Sequence, residues 1–468
     1  MYFNSNEKQH LIVIGGNVSG LAAANQARRN SSNIEITVLE SGNFISYGTC
    51  GLPYFISGVV DDINKLFVYS PEFFEKEKKI NILTGHQVIG LNPSKKGIAI
   101  KLRSGNSLKT LNYDKLVIAS GAVPIDIGVE NLKAPNFFNF RNVEDALSLK
   151  DYISKNSPRR ALIVGGGSIG LLLAEALLKI GIKPVIVEKS NNIFNDFEEE
   201  ISTILYKKAT LDGCEIINNS SLNLVVKDDT NIIKSASIYN IADEKLSSIE
   251  TDLVLFCAGI RANTSFLEGT SIELGKNHGI KTTQKLQTSY SNIYACGDCC
   301  CVKNIVTGKY DYIPTANNAA KMGRIAGGNI TGGEEIFSGS VGTKVDAIFG
   351  FEIAKTGIGL KEATDLGFNA VRVIDTFSSH AKAIPGAKEI TISLIADFNS
   401  RKILGVQMIG STGVAKRIDI FATAITHDLT IDDVYMLDLS YSPGTSTVWD
   451  PVNKICGKMV LNFKKRRF

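Results

Sequence analysis

The stretch "RRALIVGGGSIGLLLAEALLKIGIKPVIVEK", residues 159–189, decides the fold. A short apolar run ends in glycines, a leucine- and alanine-rich segment of helical composition follows, Gly181 stops it, and a second apolar run ends in Glu188. Strand, glycine loop, helix and strand make a βαβ unit. The same grammar occurs near the start of the chain, where "HLIVIGG" (10–16) runs into "NVSGLAAANQARRN" and then "IEITVLE", ending in Glu40. Two such units in one chain are an internal duplication, and βαβ units build parallel sheets covered by helices.

Each unit carries the chemistry of a dinucleotide site. Glycines let the backbone approach a pyrophosphate, the helix N-terminus stabilises its charge, and an acidic residue about 20 positions on bonds a ribose hydroxyl. In the second unit Gly165, Gly167, Gly170 and Glu188 complete the pattern G-x-G-x-x-G plus acid. In the first, Gly15, Gly16, Gly20 and Glu40 are present, with Asn17 where the second glycine would stand. One such loop also reads as a plain strand–helix turn; two, each with its acidic partner, read as two nucleotide sites. "KLVIASGAVP" (115–124, with Ala119 and Gly121) and "DLVLFCAGIRAN" (252–263, with Gly259) are strands entering small-residue turns. "TSYSNIYACGD" (288–298) is a strand leading to Gly297 and Asp298, whose plainer reading is a helix cap. The expected fold is α/β: a first Rossmann-like domain (1–123 and 263–333) interrupted by a second (124–262), then a C-terminal α+β domain (335–468). That last part has strands "KEITISLIAD" and "KILGVQMIG" and a helix near 412–427.

Composition excludes several classes. The chain has 468 residues, 44% hydrophobic and 21% charged, with net charge +4, enough for several domains. "KKRRF" at 464–468 is the sole basic run and reads as a solvated end, so no nucleic-acid partner is expected. No run of 18 apolar residues exists, so no membrane span is expected. "MYFNSNEKQH" lacks a signal-peptide core, and eight cysteines in a long chain read as thiols, which points to the cytoplasm. "CGDCCC" (296–301) holds Cys296, Cys299, Cys300 and Cys301. A C-x-x-C pair can bind zinc or a cluster, but no second pair is evident, so structural thiols and no metal are expected.

One cysteine stands apart. "FISYGTCGLPYFISG" (44–58) places Cys50 between Thr49 and Gly51 shortly after the first glycine loop. Together with the two loops, Ser46, Tyr47, Cys50, Gly51, Leu52, Pro53 and Tyr54 resemble the flavoprotein pyridine nucleotide–disulfide oxidoreductases, over nearly the whole chain. Within them the chain is most similar to the single-cysteine branch: coenzyme A disulfide reductases, NADH-dependent persulfide reductases, and related NADH oxidases and peroxidases. The resemblance implies FAD on Gly15, Gly16, Asn17, Gly20 and Glu40, with Asp298 at the ribityl chain. It also implies a nicotinamide nucleotide on the second loop, where Glu188 favours NADH over NADPH because a 2′-phosphate beside it is repelled. Two-cysteine members carry C-x-x-x-x-C; here Ile45 and Phe55 flank Cys50 at that spacing, so no internal disulfide forms. Cys50 is then expected to cycle alone as a thiolate, its pKa lowered by the following helix N-terminus and the flavin. It would attack a low-molecular-weight disulfide or persulfide, or pass through a sulfenic acid as an oxidase or peroxidase does. A specialised flavin–cysteine enzyme of another pathway and a non-catalytic flavin redox sensor are the remaining readings.

The resemblance extends to substrate groups. Gln26 and Arg29 on the first helix match residues that handle coenzyme A, although "NQARR" also reads as a solvated helix end. Ser46 and Thr49 stand where relatives touch the pantetheine arm. "YSPGTSTVWDP" (441–451) keeps the tyrosine, Tyr441, that relatives donate across a homodimer interface as an acid. Three positions depart from the pattern. "HAKAIPG" has Ala383 where relatives carry a second tyrosine, Ser168 replaces an aromatic gate to the nicotinamide pocket, and Leu172 replaces a glutamate near the flavin.

Overall fold

The computed structural model describes residues 8–105, 107–129 and 132–466. The first seven residues of the N-terminal stretch, and Arg467 and Phe468 of the basic tail, lie outside the described residues.

The two glycine-loop units fold as two parallel five-stranded sheets. The first runs in the order Ile293–Ala295, Lys115–Ile118, His10–Ile14, Glu35–Leu39, Asn81–Leu83. The second runs Glu215–Ile217, Lys183–Val187, Arg160–Val164, Leu253–Phe256, Phe137–Asn139. After their half-buried first residues, His10 and Arg160, the central strands HLIVI and RALIV are apolar and buried. In the second sheet Ala161 and Ile163 pack on Leu171, Leu173 and Ala174 of the helix Ser168–Lys179, while Leu162 and Val164 pack on Leu222, Ala236, Ile238 and Ile249 on the opposite face. Their registers correspond: Ile14 pairs with Leu39, and Val164 with Val187, so each glycine loop leaves its sheet at the same point. The contribution of Ile293–Ala295 to the first sheet shows that this unit is completed after the second.

Each parallel unit also carries a three-stranded antiparallel meander that the sequence reading did not separate. His86–Asn92, Gly97–Leu102 and Leu108–Asn112 form the first, and Ser220–Lys227, Ile233–Asn240 and Lys245–Glu250 the second. Each hands the chain directly to the strand that re-enters its parallel sheet, Lys115–Ile118 or Leu253–Phe256. The crossings between the units, Ala122–Pro124 and Ile260–Ala262, pair antiparallel.

Two helices of the first unit meet unusually closely. A Cβ on Gly323 or Gly327 of Ala316–Asn329 would fall 2.2 or 2.1 Å from the carbonyl oxygens of Ser19 and Ala23 in Val18–Asn30. The C-terminal part is a five-stranded antiparallel sheet ordered Lys344–Ile348, Phe351–Gly357, Ile403–Gly410, Glu389–Asp397, Ala370–Ser378. Helices Val414–Thr426 and Pro451–Arg466 bury Phe421, Ile455, Met459 and Phe463 against it. No helix among the described residues is long and apolar enough to cross a membrane.

Candidate active site

The two glycine loops are built alike. Gly15 and Gly165 take φ of +109° and +108°, a region only glycine enters freely. A Cβ on Gly15 would stand 2.1 Å from the Ala119 carbonyl oxygen, and one on Gly165 2.6 Å from that of Cys257. Gly20 and Gly170 let each helix close on its loop, since a Cβ there would lie 1.9 or 2.0 Å from the carbonyl of Gly15 or Gly165. Both acids brace their own loops. Glu40 accepts hydrogen bonds from the N–H of Gly16 (2.8 Å) and Gly42 (2.7 Å); Glu188 accepts from Gly166 (2.7 Å) and Ser190 (2.8 Å).

Both loops fit a dinucleotide. Asn17, at the N-cap of Val18–Asn30, caps nothing with its side chain, and its buried Oδ1 has no hydrogen-bond partner. Turned over, this amide would present its N–H groups to a phosphate oxygen, so an unpartnered Asn17 at the glycine loop suits a bound pyrophosphate. Gly167, the N-cap of Ser168–Lys179, has open space where a Cβ would point. Gly121, Gly259 and Gly297, all at positive φ, line the crossings and the turn beside the first loop. A turn, not a helix, follows Gly297 and Asp298, so Asp298 is no helix cap. Instead its carboxylate meets Arg141 at 3.0 Å, while Tyr312 donates to its backbone carbonyl at 2.8 Å. Arg141, which reading the sequence did not single out, is thereby a cation of this site.

Cys50 lies in a short turn, Thr49–Gly51, leading into the helix Leu52–Ile56. The segment is tied to the first loop through Ser46, whose N–H donates to the Gly16 carbonyl at 3.0 Å. Ser46 is buried with φ of +56°, a costly conformation for a residue with a side chain, and its own carbonyl accepts from Val68. The turn is held from the other side by Gly48 N–H to the Leu66 carbonyl. Cys50 is exposed, whereas Cys214, Cys296, Cys299, Cys300, Cys301 and Cys456 are buried, Cys257 is half-buried, and all eight are free.

Among the protein's own groups the balance at the thiol runs against the lowering expected from the helix. Burial of the sulfur among its neighbours pushes the Cys50 pKa up, Asp346 and Asp298 push the same way, and Arg141 opposes them. The helix expected to lower it has only five residues, too few for an appreciable dipole, and two carboxylates outweigh one guanidinium.

The substrate-side residues divide. Arg28 is structural: its guanidinium donates to the carbonyls of Lys78, Ser32 and Lys79. Arg29 is exposed and makes no side-chain hydrogen bond among the described residues; Gln26 donates to Asn30 at 3.0 Å, and Thr49 is half-buried beside Cys50. Tyr441 is exposed in the C-terminal part, where Pro443 accepts from the Ala381 N–H at 3.1 Å. This contact brings the loop of Tyr441 against the loop of Ala383. Ile384, Met436, Val448 and Trp449 are exposed here too, Trp449 stacking on Tyr435. The four clustered cysteines are core residues: Cys299 Sγ lies 3.8 Å from Cys300 Sγ and donates to the Cys296 carbonyl. Among the described residues no group of three or more His, Cys, Asp or Glu converges as metal ligands do.

Residues 9–323 match the family model for pyridine nucleotide-disulphide oxidoreductases, and residues 347–451 match that family's dimerisation domain. The chain belongs to this family. It is an oxidoreductase whose family uses FAD and NAD(P)H, and the two glycine loops are where such nucleotides fit. It is 31% identical over 447 residues to an NAD(P)H sulfur oxidoreductase (CoA-dependent) of Pyrococcus furiosus, covering 95% of this chain and 98% of that one. It is 28% identical over 453 residues to a coenzyme A disulfide reductase of Staphylococcus haemolyticus, covering 95% and 98%. Among solved structures, an NAD-dependent persulfide reductase from A. fulgidus superposes with a TM-score of 0.92 at 32% identity, covering 98% of this chain and 84% of that one.

Proposed function

We propose that the enzyme uses NADH and FAD to reduce a low-molecular-weight disulfide or persulfide, coenzyme A-linked, through Cys50 alone, as a cytoplasmic homodimer. The observation that carries this reading is the exposed, free Cys50 in a strained turn anchored to the first glycine loop, with every other cysteine buried or half-buried.

Cys50 loses its proton and its sulfur attacks one sulfur of R–S–S–R′. A Cys50–S–S–R bond forms, the S–S bond of the substrate breaks, and R′S⁻ leaves and takes up a proton. FAD on the first glycine loop and NADH on the second would supply the two electrons that, with two protons, cleave this mixed disulfide to RSH and the Cys50 thiol. Tyr441 of the partner subunit is the proton donor to the departing thiolate, which gives the exposed face around it a role between two subunits. Arg29 suits a substrate phosphate, being uncommitted where Arg28 is tied down. Glu188, fixed by two backbone N–H groups, holds its charge where a 2′-phosphate would sit, which supports NADH.

The purified protein should be yellow and release FAD on denaturation. Mass spectrometry of the native protein should find coenzyme A disulfide-linked to Cys50; sulfenic acid at that position would favour the oxidase or peroxidase cycle instead. Cys50→Ser should keep fold and flavin and lose essentially all thiol-linked turnover, because a serine hydroxyl stays protonated at neutral pH. Full activity of that variant on every substrate would remove the thiol mechanism.

A further inference from the structure

Asp346 is a carboxylate that the proposed mechanism does not use. It lies on Lys344–Ile348, the edge strand of the C-terminal sheet, and reaches out of its domain to the second glycine loop. Its Oδ2 accepts from Ser168 Oγ at 2.7 Å, and Ser168 opens the helix that follows Gly165–Gly167. The same segment is anchored again further along that helix, where Phe349 N–H donates to Glu175 at 2.9 Å. Two anchors fix where the carboxylate stands.

The charges around it are otherwise spoken for. Lys344, on the same strand face, pairs with Asp196 at 2.5 Å, and Lys355 reaches Asp196 as well. Glu175 is engaged by Phe349 and by Lys179 at 2.8 Å. Leu172, one helical turn beyond Ser168 on the same face, has no polar atom. Among the described residues no lysine or arginine forms an ion pair with Asp346, and its Oδ1 receives no donor.

Its position relative to Cys50 follows from packing. Leu52, Phe55 and Ile56, just after Cys50, share one core with Leu171 and Leu173 of the Ser168 helix and with Ile348 and Phe349. Asp346 is also the charge that acts most strongly on the Cys50 thiol. A dinucleotide with its pyrophosphate on Gly165–Gly167 must extend its ring end toward the redox centre, which takes it past Ser168.

We propose that Asp346, positioned by Ser168, recognises the nicotinamide end of the pyridine nucleotide: its carboxylate accepts a hydrogen bond from the ring carboxamide and favours the positively charged oxidised ring over the neutral reduced one. This rests on the reading that the second loop binds NADH. Burial raises the Asp346 pKa and the Ser168 hydrogen bond holds it back, so Ser168 helps keep the carboxylate charged.

The test is equilibrium binding to the FAD-loaded protein by calorimetry, with NAD⁺, with 1,4,5,6-tetrahydro-NAD, which stands in for NADH because it cannot give up a hydride to the flavin, and with ADP-ribose, which lacks the nicotinamide. In Asp346→Asn, NAD⁺ affinity should fall roughly tenfold or more relative to the reduced form, the scale of losing one charged contact in a half-buried site. ADP-ribose affinity should stay within about twofold. Asp346→Ala should weaken both nicotinamide forms, and Ser168→Ala should shift the ratio of NAD⁺ to the reduced form the same way by less. Unchanged flavin absorbance checks the fold of each variant. Should ADP-ribose bind normally while Asp346→Asn leaves the ratio of NAD⁺ to the reduced form unchanged, the role of Asp346 is overturned. Should ADP-ribose fail to bind wild type, the nucleotide reading of the second loop falls, and this proposal with it.

Discussion

Removing one buried carboxylate, Asp450, should unseat both loops that frame Tyr441. Asp450 accepts from Arg417 Nε (3.1 and 3.0 Å) and Nη2 (2.8 Å), from Ser446 Oγ (2.6 Å) and from Val452 N–H (2.9 Å). Arg417 also donates to the carbonyls of Ser379 and Gly413, both at 3.0 Å, so one ion pair ties the segment before Ala383 to the segment after Tyr441. The two side chains are 10% and 9% exposed. Asp450→Ala therefore leaves a guanidinium buried without its counter-charge, which costs about 3–5 kcal/mol. With an unfolding entropy of about 2.1 cal/mol/K per residue, this lowers Tm by roughly 10–18 °C if the C-terminal domain melts alone, and by roughly 3–5 °C if the whole chain melts as one unit. The double variant Arg417→Met/Asp450→Leu, which removes both charges, should recover most of the loss. Burial pushes the Asp450 carboxyl up, but Arg417, Ser446 and the Val452 N–H more than offset it, so its pKa lies below the ordinary value. The folded pKa is thus depressed. The pair's stability is fully present above the unfolded carboxyl pKa of about 4 and is lost as pH falls through the folded value. Calorimetry of wild type and Asp450→Ala should show the gap narrowing only on the acid side. A Tm drop under about 1 °C at pH 7 would refute the reasoning.

Three further outcomes are expected. Iodoacetamide should label Cys50 with a pH midpoint above that of an ordinary thiol, and Asp346→Asn should move the midpoint down by removing the first-named carboxylate; an upward shift would contradict the assignment. Glu188→Gln should reduce the ratio of kcat/KM for NADH over NADPH by roughly tenfold, the effect of deleting one repulsive charge, and an unchanged ratio places the discrimination elsewhere. Tyr441→Phe should lower turnover on coenzyme A disulfide by roughly 10²- to 10⁴-fold, and Ala383→Tyr, on the adjoining loop, should recover part of that loss. If Tyr441→Phe turns over normally, the leaving thiolate draws its proton from another group.

The parts of the fold that were legible in the sequence are those where steric necessity selects the residue type. A Cβ at Gly15, Gly20, Gly165 or Gly170 would fall inside a carbonyl's contact distance, so glycine at these spacings carries direct structural information. The acids closing each unit, Glu40 and Glu188, were legible for a related reason: each lies at the end of a buried strand and accepts from its own loop. The antiparallel meanders escaped because their last strands, "LKTLN" and "KLSSIE", are exposed and polar and show little alternation. Arg141 escaped because it belongs to no local motif, and its pairing with Asp298 spans 157 positions.

The Cys50 segment shows where motif reading stops. Its residue pattern identified the cysteine, but the direction of its pKa shift depends on burial and on charges from remote parts of the chain: Asp346 from the C-terminal sheet, Arg141 from just after the strand Phe137–Asn139, Asp298 from the first domain. The two substitutions in the second unit make the same point. Set against the pattern the resemblance implies, Ser168 and Leu172 lack an aromatic group and a carboxylate. In three dimensions Ser168 meets Asp346 at 2.7 Å, so a carboxylate stands at that helix face after all, delivered by a strand 178 positions away. A function lost from one helix and supplied by another element leaves no trace in spacing or periodicity, because the two residues share only a location. Whether Asp346 reads the nicotinamide end is therefore decided by that shared location, which the binding ratio of NAD⁺ to the reduced form reports directly.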